Sequence, residues 1–180
     1  MSTDVEVPVS KAGRNLPAAL AVGLSLGGSI LGTVFSPYRW TFVIVLLVAT
    51  LIGTWEIVRA LRTLGANTPA LPVYVGGAAM VVLAYREGST QLFLGLALTV
   101  VAMVVWRVAD PAEGVLRDLT AGVFTAAYVP FLMGFAALLT VPTDGAQRVT
   151  TFVATVVCSD VGGYAAGVMF GKHPMAPSVS

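Results

Sequence analysis

Apolar runs of about 17 to 25 residues alternate along this chain with short polar breaks, and runs of that length cross a bilayer as helices. Six are predicted as spans: 16–35, 40–61, 69–85, 88–106, 119–141 and 149–170. The first carries Gly23, Gly27, Gly28 and Gly32, a spacing expected of a helix that packs closely on another, and the turn Ser36-Pro37-Tyr38-Arg39 ends it. The third, after the loop from Arg62 to Pro69, is the shortest. Pro130, followed by Gly134, interrupts the fifth and is expected to kink it. Residues 1–15 are polar and read as a short cytoplasmic tail; the run after them is too long for a signal-peptide core and reads as an uncleaved first helix. The expected fold class is all-α, a polytopic membrane protein of about six transmembrane helices over 16–171, with 172–180 as a cytoplasmic end.

Composition supports the membrane assignment. Hydrophobic residues make up 57% of the 180, charged residues 11%, and mean hydropathy is +0.87, so there is too little polar surface to coat a soluble globule. A net charge of +1 leaves no basic field for nucleic acid. One cysteine, Cys158, and one histidine, His173, make neither a disulfide framework nor a zinc site.

Cations set the expected orientation. With the N-terminus cytoplasmic, the inner segments hold Lys11, Arg14, Arg59, Arg62, Arg107, Arg117 and Lys172, against Arg39, Arg86 and Arg148 outside. Six spans then put both termini inside, in a plasma (inner) membrane of bacterial type. Tyr38, Trp40, Tyr85 and Trp106 fall at predicted span ends, as interfacial aromatics do.

Within the sixth run lies Asp160. An ionised carboxylate there costs several kcal/mol unless it meets a cation, a metal or water, so it marks a candidate site on an ion, substrate or proton path; the alternative is a packing seam with one buried, neutralised acid. Twelve residues separate it from Lys172, about 18 Å along an unbroken helix. Either the helix breaks at Gly162-Gly163 or a water-filled pocket reaches it. On a helix, Gly163, Tyr164, Gly167 and Gly171 fall within roughly 60° of Asp160, and Cys158, Val161, Ala165, Val168 and Met169 point away. The glycine spacing of four allows a helix or a ligand close to the backbone.

Other charged residues have two readings each. Glu56 and Arg59 can neutralise one another three residues apart on a helix, or serve a site. Arg107, Asp110, Glu113, Arg117 and Asp118 read as a solvated connector, with a phosphate-facing arginine as the other option. His173, beside Lys172, suits interfacial solvation or an anionic headgroup. No Walker, Rossmann or HExxH pattern is present.

The segment Ser159–Pro177, SDVGGYAAGVMFGKHPMAP, resembles the membrane-integral phosphatidate cytidylyltransferase (CDP-diacylglycerol synthase) family, whose members read Ser-Asp-x-Gly-Ala-Tyr-x-x-Gly-x-x-Phe-Gly-Lys-His-x-x-Ala-Pro here. Ser159, Asp160, Gly162, Tyr164, Gly167, Phe170, Gly171, Lys172, His173, Ala176 and Pro177 fit, and Gly163 replaces the commoner Ala. Trp55-Glu56 and Tyr128-Val129-Pro130-Phe131 are weaker echoes. The chain stops at Ser178-Val179-Ser180, where the family continues into a Lys-Lys-Thr-Trp-Glu-Gly segment and a C-terminal signature, so it reads as an N-terminal portion, inactive alone.

The resemblance implies transfer of a cytidylyl group from CTP to phosphatidate, giving CDP-diacylglycerol and diphosphate with Mg²⁺. It implies Asp160 as metal or nucleotide-metal contact, Ser159 as its hydrogen-bond neighbour and Lys172 as a phosphate contact. Gly163, Tyr164, Gly167 and His173 would face substrate, further metal ligands would come from the missing part, and a homodimer is a possible assembly. Two other classes compete. In a transporter or channel subunit Asp160 would couple to protons or cations, although spans one to three do not repeat in four to six; a non-catalytic membrane scaffold is the third reading.

Overall fold

The computed structural model describes residues 16–109 and 113–170. Its helices are α1 (Leu16–Val34), α2 (Trp40–Thr63), α3 (Ala70–Glu87), α4 (Ser89–Ala109), α5 (Val115–Ala126), α6 (Leu132–Leu139) and α7 (Gly145–Phe170), with a π-helical turn, Ala127–Phe131, joining α5 to α6. There is no strand among the described residues. Four rods are long and apolar enough to cross a membrane by themselves, Trp40–Thr63, Ser89–Ala109, Val115–Leu139 and Gly145–Gly167, and Ala21–Val34 is a shorter apolar helix. The protein is an all-helical, polytopic membrane protein.

α3 is the hub. It packs against α2, α4, α5, the π-helical turn and α6, and Val73, Met80, Val81 and Ala84 on it are fully buried together with Leu92 and Met103 of α4. Small residues make this close packing possible, because two helices with no hydrophobic drive between them in lipid gain chiefly from backbone approach. At Gly76 an added Cβ would collide with Thr99 of α4, and at Gly77 it would lie 3.0 Å from the Pro130 ring. At Gly122 it would lie 2.7 Å from the Met103 sulfur. Inside the helices, Thr50 Oγ1 donates to Leu46 O and Thr99 Oγ1 to Gly95 O, both at 2.7 Å, so burial of these two hydroxyls leaves neither donor orphaned.

Pro130 does not break the fifth rod. A proline lacks the N–H an α-helix needs and its ring presses on the preceding turn; the π-helical turn widens the backbone there and the chain runs on into α6. Pro130 is fully buried, with Gly77 leaving room for its ring.

Long-range polar contacts fix the two ends of the bundle. At one end, Arg39, just before α2, donates from Nη1 to Thr140 O at 2.9 Å and from Nη2 to Thr143 O at 3.0 Å, satisfying carbonyls released where α6 stops. At the other end the α2–α3 loop, the end of α4 and the start of α5 meet around Asp118.

Two peripheral helices correct the sequence-based picture. The α1 glycines, expected in a packing face, look onto open space: nothing lies within 4 Å of a Cβ at Gly23, Gly27, Gly28 or Gly32. Among the described helices α7 packs only on α1 and α6, and 6% of its span is buried, against 39% of Val115–Leu139.

Candidate functional site

α7 starts at a charged corner. Asp144 immediately precedes it and accepts a hydrogen bond from Arg148 Nε at 2.9 Å, while the Arg148 amide donates to Asp144 O at 3.1 Å. A carboxylate suits the positive end of a helix dipole. The Arg148 hydrogen bond, ahead of smaller effects, holds the Asp144 carboxyl below the usual carboxylate range. From there the helix runs without interruption to Phe170, so the break considered at Gly162-Gly163 is not adopted. Threonines inside α7 back-bond to the helix, Thr150 to Ala146 O and Thr155 to Thr151 O, both at 2.8 Å, which lets a Thr-rich segment remain helical in an apolar setting.

Because α7 is unbroken, Asp160, Gly163, Tyr164 and Gly167 share one face, and all four are exposed. Among the described residues, nothing outside the helix's own backbone lies within 4 Å of a Cβ placed at Gly162, Gly163 or Gly167. Asp160 is ten residues from Phe170, about 15 Å along the axis. Ser159 turns to another side, where it lines a groove of ≈ 780 Å³ with Phe35, Thr151, Thr155 and Cys158. Lys172 and His173 lie outside the described residues, as does Asp110.

The polar cluster at the end of the bundle is the feature that pattern reading missed. Asp118 and Arg107, 1% and 3% exposed, form an ion pair through Asp118 Oδ2 and Arg107 Nη2. Asp118 Oδ1 also accepts from the backbone N–H of Asn67 at 2.7 Å, and Arg117 Nε approaches it at 3.5 Å. The Arg117 guanidinium lies against Gly65 and Gly114, both at positive φ (83° and 82°), where a side chain would be strained and would crowd the cation. Arg107 and Asp118 are therefore an interior lock and not part of a solvated connector. One signal was available: Asp118 opens the series Asp118, Ala121, Gly122, Thr125, Ala126, whose 3–4 spacing is that of a buried stripe. At the same end of the bundle Arg59 does not pair with Glu56; its guanidinium carbon sits 5.3 Å from the Trp55 ring centroid.

Among the described residues no three His, Cys, Asp or Glu side chains come together as a metal site. Asp160 supplies a single carboxylate, fewer donors than a divalent cation with oxygen ligands takes. The described part of the chain therefore does not by itself fit a Mg²⁺ ion. What the α7 face offers is a carboxylate within a helix apolar enough to cross a membrane, an aromatic hydroxyl immediately after a glycine pair, and bare backbone.

Sequence comparisons give this face a context. Residues 18–180 match the cytidylyltransferase family. The chain is 43% identical to the phosphatidate cytidylyltransferase of Mycobacterium leprae (strain TN), over 94% of this chain and 59% of that protein. It is 41% identical to the phosphatidate cytidylyltransferase of Mycobacterium bovis (strain ATCC BAA-935 / AF2122/97), over 95% of this chain and 60% of that protein, and equally to that of Mycobacterium tuberculosis (strain ATCC 25618 / H37Rv), 56% of which is covered. The chain thus spans a little under two thirds of the length of these curated relatives. No solved structure matches it, and none of the relatives named here is a transporter. A match that runs through all the described helices and includes the Ser159–Pro177 segment makes this chain a member of the cytidylyltransferase family.

Proposed function

We propose that this chain serves phospholipid synthesis by transferring a cytidylyl group from CTP to phosphatidate. In that reaction an oxygen of the phosphatidate phosphate attacks the α-phosphorus of CTP, the bond from that phosphorus to the bridging oxygen breaks, and diphosphate leaves with the electron pair. The products are CDP-diacylglycerol and diphosphate. The observation that carries the reading is Asp160, exposed on a helix apolar enough to span a membrane. A lone carboxylate on such a surface must be covered by something polar, because facing hydrocarbon costs it several kcal/mol.

The open glycine face beside Asp160 admits a polar group against the backbone, and Tyr164, within roughly 60° of Asp160 on the helix, can donate from its hydroxyl. Lys172 and His173, two and three residues beyond Phe170 in the sequence, are proposed to meet phosphate oxygens, and Ser159 to act from the adjoining groove. Mg²⁺ would neutralise the triphosphate when bound, with Asp160 as one of the several ligands it would need. The lipid substrate arrives through the bilayer and the nucleotide through water, which fits a bacterial inner membrane with both termini cytoplasmic, and a homodimer remains compatible with the exposed α1 and α7.

The test is replacement by asparagine of the aspartate matching Asp160 in the Mycobacterium leprae relative, reconstituted in proteoliposomes with phosphatidate and labelled CTP. Loss of at least about a hundredfold in label transfer, with normal insertion, is expected for a group acting on developing charge. Near-normal turnover rejects the role.

A further inference from the structure

Along the last turns of α2, Trp55, Val58, Arg59 and Arg62 fall on one stripe, since these spacings bring each within about 60° of the stripe's centre. Together with Tyr74 of α3 they line an open pocket of ≈ 520 Å³. The pocket lies toward the end of the bundle that holds Arg107 and Asp118, because Tyr74 follows the α2–α3 loop by one turn of α3. Its floor is Val58, 3% exposed. One wall is the Trp55 ring with the Arg59 guanidinium against it.

The charge in this pocket is unbalanced. Neither Arg59 nor Arg62 has a carboxylate within ion-pair distance among the described residues, and Glu56, about 100° round the helix from Trp55, does not line the pocket. Two like charges three residues apart on a helix repel one another. An anion placed between them removes that repulsion, and guanidinium forks match phosphate oxygens in geometry as well as charge. The Tyr74 hydroxyl adds a neutral donor, and the stacked Trp55 restricts Arg59 before anything binds.

Simple span-end arginines extend into the headgroup region with no shared pocket. Arg86, exposed at the end of α3, is an example to compare with. We infer that the pocket lined by Trp55, Val58, Arg59, Arg62 and Tyr74 is a binding subsite for a terminal phosphate group at the membrane surface. The inference rests on the proposed reaction only for the two carriers of that phosphate, phosphatidate and CTP. Its test reads binding and not turnover, so its failure is separate from failure of the enzymatic reading.

The experiment places the 180-residue chain in phosphatidylcholine nanodiscs and titrates dioctanoyl phosphatidate or CTP, with dioctanoyl phosphatidylcholine as control, by calorimetry. Binding of phosphatidate or CTP, but not of the control, is expected. Arg59→Gln with Arg62→Gln should weaken it by about tenfold or more, as loss of charge-assisted hydrogen bonds does, and Arg86→Gln should leave it unchanged. Tyr74→Phe, which removes only a hydroxyl, should weaken it severalfold and covers the case in which the double variant does not fold. Binding of phosphatidate alone makes the site lipid-facing; binding of CTP alone makes it nucleotide-facing; either supports the subsite. The inference is overturned if neither ligand binds, if the folded pocket variants bind as wild type, or if Arg86→Gln loses as much.

Discussion

Arg107 and Asp118, eleven residues apart and at the facing ends of α4 and α5, form a buried ion pair that also holds the α2–α3 loop through the amide of Asn67. Three parts of the bundle, the α2–α3 loop, the end of α4 and the start of α5, thus converge on one carboxylate. Withdrawing a charge from such a pair leaves its partner buried and uncompensated, which is costlier than replacing both.

Asp118→Ala and Arg107→Ala should each lower stability by about 3–5 kcal/mol, measured by denaturant titration in detergent micelles. Arg107→Met combined with Asp118→Leu should cost less than the sum of the two alanine variants. Strict additivity would show that the two charges act independently.

Close helix approach at Gly76 is a second point of leverage. Gly76→Ala should destabilise by about 1–3 kcal/mol through collision with Thr99. Adding Thr99→Gly should recover part of the loss, reduced by about 1 kcal/mol for a second glycine inside a helix. Unfolding of the single and double variants under one set of conditions decides it; no loss in the single variant would mean α3 and α4 do not meet there.

The face around Asp160 makes the opposite prediction. Gly163→Ala and Gly167→Ala meet nothing within 4 Å, and alanine is the better helix former by about 1 kcal/mol. Each should leave thermal stability of the 180-residue chain unchanged or raised. A fall in melting temperature would reveal a packing partner on that face.

Asp144 gives a pH signature. Its folded carboxyl is held below the usual range by the Arg148 hydrogen bond, so it binds protons less readily folded than unfolded. The contribution is present above the unfolded value of about 3.9 and is lost as pH falls through the folded one. Both side chains are about half exposed, so the effect is small. Asp144→Asn should lower the melting temperature slightly at neutral pH, with the difference from wild type closing in acid. A difference that persists unchanged below pH 3 would assign the effect to something other than the charge.

What the sequence determined by itself is what depends on one helix at a time. Run length and apolarity make the chain a helical membrane protein, and a period of 3.6 puts Asp160, Gly163, Tyr164 and Gly167 on one face whatever surrounds α7. Tertiary structure decided which neighbours each face has. Glycines at 76, 77 and 122 sit at helix contacts while those at 23, 27, 28 and 32 of α1 and at 162, 163 and 167 of α7 do not, though their spacing looks alike. Pro130 is taken up by a π-helical turn because Gly77 on another helix leaves room for its ring. Asp118, written among connector charges, is paired because folding brings the ends of α4 and α5 together and excludes water from between them. Burial of a charge is settled by partners distant along the chain, and a one-dimensional pattern of polarity does not contain them.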